Sequence, residues 1–166
     1  MIQQRILAPS RSQVHPVITA GVLVGILDIL AAFIVRYWFT RASPVRVLQG
    51  IASGLLGPAA FTGGAATAVL GMFLHLAIAF AVAGVYYAAS RRWRILVQHP
   101  IVSGVLYGVA VHWVMNQIVL PLSRLPIGPR TPPLSFTLAM VVVHMLFVGL
   151  PIALTVAGRD RADERR

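Results

Sequence analysis

The stretch that most constrains this chain is Pro100 to Leu122, PIVSGVLYGVAVHWVMNQIVLPL. It carries no Asp, Glu, Lys or Arg. At ~1.5 Å of rise per residue, a helix of this length crosses the ~30 Å hydrocarbon core of a bilayer. His112 lies near its middle, and Asn116 follows one turn later on the same helical face. Gly104 and Gly108 form a GxxxG pair on that face too. Small residues admit a neighbouring helix at close range, so the face is expected to meet protein rather than lipid. A polar group held there is a candidate for function.

The rest of the chain is of the same kind. It has 166 residues, of which 58% are hydrophobic and 11% charged, and the apolar residues fall in long blocks. That balance marks a multi-span membrane protein held in one domain. The formal net charge is +10, but the arginines flank the apolar blocks. They are therefore read as topology and headgroup contacts, and nucleic acid is not expected as a partner. All fourteen basic residues are Arg, and there is no cysteine to form a disulfide or a thiolate ligand.

Taken in order, the blocks predict spans at about 17–39, 65–90, 100–122 and 134–158. The first span is too long for the apolar core of a signal peptide and contains Asp28, so it is expected to be retained. It has its own GxxxG pair, Gly21 and Gly25, three residues ahead of Asp28. Between the first two spans, Ser43-Pro44 reads as a cap and first helical residue, and Gly57-Pro58 as a stop. The helix so bounded, about 44–56, is too short to cross and is expected to be interfacial or re-entrant. Val45, Leu48, Ile51, Ala52 and Leu55 share one of its faces, with Arg46, Gln49 and Ser53 largely elsewhere. Pro151 is expected to kink the last span, and the tail Arg159–Arg166 to be loosely ordered. The fold class is an all-α, integral membrane four-helix bundle.

The halves of the chain are similar. GVLVG at 21–25 matches GVLYG at 104–108, and His75-Leu76 in the second span matches His144-Met145 in the fourth. Two hairpins of one orientation, related by an axis along the membrane normal, are expected from this repeat. The tails and the loop after the second span hold nine arginines, against five on the opposite side. Both termini are accordingly expected in the cytoplasm. The run HLAIAFAVAGVYY, GVLYGVAVHWVMNQIVLPL, HMLFVGLPIAL resembles small four-span bacterial inner-membrane proteins of uncharacterised activity. The resemblance covers residues 65–155 and implies fold and inner-membrane location only. The partners expected are the bilayer and a second copy or another membrane subunit.

Counted from the predicted cytoplasmic ends, Asp28, His75, His112 and His144 lie at similar depths, roughly 17 to 22 Å. With Asn116 they form a candidate intramembrane polar site. Three readings compete. The layer holds the bundle together by hydrogen bonds. Alternatively, it exchanges protons or ligates a solute in transport. In the third reading, His75, His112, His144 and Asp28 bind a transition metal, or two histidines bind haem. No HExxH-like spacing supports the third, and neither a phosphate-loop signature nor a G-x-S-x-G elbow is present. Enzymatic activity is not expected.

Overall fold

The structure, a computed structural model, describes residues 15–125 and 132–164. Arg5, Arg11, Arg130, the turn residues Pro126 and Gly128-Pro129, and Arg165-Arg166 lie outside the described residues. The helices are α1 (Pro16–Thr40), α2 (Pro44–Leu56), α3 (Gly64–Arg92), α4 (Ile95–Gln98) and α5 (Pro100–Leu122). A last helix, α6, is made of Leu134–Val143, His144–Gly149 and Leu150–Glu164. No strand occurs among the described residues. The helices α1, α3, α5 and α6 are long and apolar enough to span a membrane. This is an all-α bundle, and its four long helices start at Pro16, Gly64, Pro100 and Leu134.

Prolines and caps set the helix starts. Pro16, Pro44 and Pro100 each sit at a first helical position, where a missing N–H loses nothing. Ser43 Oγ accepts from the Arg46 N–H at 3.3 Å, and Gly57 ends α2 at a positive φ of 63° that an L residue would resist. A 3₁₀ turn, Gly57–Phe61, leads on to α3.

α1 and α6 pack together at the centre, with α3 on the other flank of α1 and α5 on the far side of α6. α3 and α5 share no extended packing. They meet through Tyr107, whose hydroxyl donates to the Val82 carbonyl at 2.7 Å and whose ring stands edge-on to Tyr86 at 5.0 Å. The tightest core lies at this end, among Ala20, Ala83, Tyr86, Val97, Ile152 and Val156. Above it α3 and α5 leave a gap. α2 lies across the other end, packed on α3 and reaching Ser123 and Arg124 just past α5. Gln49 Nε2 donates to the Gly64 carbonyl at 3.1 Å, and the Arg124 N–H donates to the Gly54 carbonyl at 2.8 Å.

The repeat has a counterpart in the packing. Gly21 and Gly25 face α3 at Phe80 and Leu76, and Gly104 and Gly108 face α6 from Ala153 down to His144. In both hairpins the glycine pair thus packs beside the histidine-bearing turn of its partner.

Two expectations need correction. The tail is not loose up to residue 164: α6 stays helical through Glu164, and Asp160 pairs with Arg91 at 3.5 Å and Arg94 at 3.2 Å. The loop after α3 contains α4, which tucks Val97 into the core. At Pro151, where a kink is expected, the helix carries a wide π turn just before the proline, His144–Gly149, and Met115–Val119 stands the same way ahead of Pro121. In each the N–H of the leucine before proline reaches back five residues, from Leu120 to Met115 and from Leu150 to Met145. α2 buries residues from both of the faces read in its sequence. Val47, Gln49, Ala52 and Ser53 are buried, whereas Val45 and Leu55 are 49% and 53% exposed. In lipid the apolar side chains face outward, and groups needing hydrogen bonds turn toward protein.

Candidate functional site

The gap between α3 and α5 is a cavity of ≈ 530 Å³. Asp28, His75, His112, Asn116 and His144 all lie on its wall, from four different helices. α2 contributes Gly50, Ile51 and Gly54, and most of the remaining wall is Val, Leu, Ile and Met. Volume and lining fit the usual small-molecule pocket, which is largely apolar with a few placed polar groups.

The polar residues differ in how they are satisfied. His75 is 8% exposed, and its Nε2–H donates across the helix pair to the Gly25 carbonyl at 2.8 Å. That bond exists because Gly25, lacking a side chain, leaves its carbonyl open to α3. His144 Nδ1–H donates within its own helix to the Met140 carbonyl at 2.7 Å, where the π turn begins. Both histidines are therefore held in defined orientations.

His112 and His144 stand edge-to-face, with ring centroids 5.0 Å apart. Asn116 Nδ2 donates to the His112 carbonyl at 2.8 Å and lies 3.4 Å from His112 Nε2. In the tautomer that lets Nε2 accept, the ring proton sits on Nδ1. Among the described residues, the buried side-chain N and O atoms with no hydrogen-bond partner are His112 Nδ1 and Asp28 Oδ1. Native structures leave few such atoms, because each forfeits its hydration without return.

Arg36 also lines the cavity, reached from Asp28 through Ala32 by steps of one turn, and its guanidinium lies 5.4 Å from the Phe136 ring centre. The sequence suggested only an interfacial anchor at Arg36. Its one-turn spacing from Ala32, itself one turn past Asp28, was the available signal. Thr137, Met140 and Ser123 complete the wall and carried no signal of their own.

The metal reading gains no ligand set: among the described residues no three His, Cys, Asp or Glu side chains are grouped to hold an ion. The contacting rings of His112 and His144 leave no room for a macrocycle between them, so this pair does not suit two-histidine haem ligation.

The four apolar spans define the class: this is a multi-pass helical membrane protein. Compared with family models, curated proteins and solved structures, the chain gives no match. The class accordingly rests on the spans, and the function on the cavity.

Proposed function

We propose that the protein moves a small solute across a bacterial inner membrane, with proton exchange at the polar layer of the cavity. One observation carries this reading: Asp28 Oδ1 and His112 Nδ1 are buried, unpartnered and on the wall of the same cavity. Groups whose role was packing alone would be expected to have found partners, as His75 and His144 have. A carboxyl and an imidazole at mid-membrane are also the side chains suited to taking up and releasing protons. The tyrosine-closed floor and the α2-covered roof give such a cycle two ends to open in turn. The arginine distribution supports cytoplasmic termini, which puts α2 on the periplasmic side.

The test is proton uptake by proteoliposomes holding a trapped pH dye, driven by a K⁺ diffusion potential. Wild-type protein should exceed empty vesicles, while Asp28→Asn and His112→Ala should match them and keep their helical melting profile. Equal uptake by wild type and Asp28→Asn would sink the proposal.

A scaffold reading has one observation in its favour. Two of the three cavity histidines are hydrogen-bonded to backbone carbonyls, as glue residues would be. It leaves Asp28 and His112 without a purpose.

A further inference from the structure

Asp28 is the sole acidic residue ahead of position 160 in the sequence. Its Oδ1 is buried without a partner, and no Arg or His forms an ion pair with it among the described residues. An ionised carboxylate in an apolar cavity is stable only with a counter-charge close by, since attraction rises as the local dielectric falls. Among the described residues none pairs with Asp28. The other charge on the cavity wall is Arg36, two turns further along α1, and its guanidinium is occupied by the Phe136 ring. The histidines facing the cavity from α3 and α6 donate N–H bonds to carbonyls, and each has an ordinary neutral tautomer that does so. From α2 the wall receives no charged side chain.

We propose that the solute is a lipophilic organic cation carrying a single charge, seated in the apolar cavity with Asp28 as its counter-ion. This rests on the solute-transport reading and names its substrate class. The ≈ 530 Å³ cavity suits a molecule of drug-like size. The aliphatic and methionine walls contribute the apolar contacts, and the gap between α3 and α5 offers entry from the membrane, where such cations concentrate. The bound cation supplies the counter-charge that Asp28 lacks. With the cation seated, no charge is left buried alone.

The experiment uses two ions of matched shape and opposite charge, tetraphenylphosphonium and tetraphenylborate, titrated into the purified full-length protein in detergent. Tetraphenylphosphonium should bind saturably, about ten-fold or more tighter than tetraphenylborate, a factor that one counter-charge in a low-dielectric site readily supplies. Asp28→Asn should erase that preference, and Asp28→Glu should keep most of it. The melting profile of each variant, read by tryptophan fluorescence, shows that the bundle is intact. Equal binding of the two ions, or preference for the anion through Arg36, would overturn the cation assignment while leaving the cavity reading in place. No saturable binding of either ion would leave the cavity to lipid chains and overturn both.

Discussion

The two hairpins are built from the same glycine and histidine signals, but they are held together differently. In the first, α1 and α3 approach until side chains meet: Gly21 lies under the Phe80 ring, Gly25 under the Leu76 methyls, and His75 reaches across to the Gly25 carbonyl. In the second, α5 and α6 approach backbone to backbone. A Cβ at Gly149 would strike the Gly104 carbonyl and the Gly108 nitrogen, and one at Gly108 would strike the His144 carbonyl. With that contact so close, the second hairpin has less room for side chains between its helices. Its histidine turns back on its own helix, and its π turns keep both strands of the crossing continuous through Pro121 and Pro151. The difference teaches that one motif can make either a compliant joint or a stiff one. What decides is the residue opposite the glycine, here Phe80 and Leu76 against Gly149.

The largest expected effect tests that stiffness. Gly149→Ala should destabilise the bundle by about 3 kcal/mol or more, because backbone on both sides cannot give way. Gly25→Ala meets the end of a flexible leucine and should cost about 1 kcal/mol. Reversible unfolding in mixed micelles measures both, and equal losses would erase the distinction between the joints.

A smaller effect separates the histidines. His75→Leu removes a tie between helices and should cost about 1 kcal/mol, in the usual range for interhelical hydrogen bonds in membranes. His144→Leu removes a bond within one helix and should cost less. A larger loss at His144 in the same unfolding assay would show that its ring contact with His112 matters more than the carbonyl tie at His75.

The smallest concerns the junction between hairpins. Asp160 on α6 pairs with Arg91 and Arg94, whose side chains are 63% and 54% exposed. Exposed pairs contribute little, so Asp160→Asn should shift stability by no more than ~0.5 kcal/mol, and less in high salt. A loss comparable to Gly149→Ala would mean that the hairpins are joined chiefly through this contact.

Much of the architecture could be read from the sequence, because long apolar blocks without charges have one stable form in lipid. Ser43-Pro44 and Gly57-Pro58 marked α2 for the same local reasons that operate in any helix. Its facing could not be read by the rule used in water, since Gln49 and Ser53 are drawn inward by hydrogen-bonding need while Val45 and Leu55 meet lipid. The π turns were hidden because MNQIV and HMLFVG look like ordinary helix, and only the shared Leu-Pro after each gave a hint. The common depth of Asp28, His75, His112 and His144 was visible as spacing. Which of them would be satisfied was not, because that depends on carbonyls exposed at glycines far along the chain.

The bond from the Arg124 N–H to the Gly54 carbonyl has a meaning in time as well as in space. A ribosome delivers α1, α2 and α3 well before residue 124. The first hairpin can enter the bilayer and α2 can settle on Gly71 of α3, yet the far end of α2 has nothing to hold until α5 has crossed. The roof of the cavity therefore stays unfastened until α5 has crossed, and any chain stopped after the first hairpin is born open.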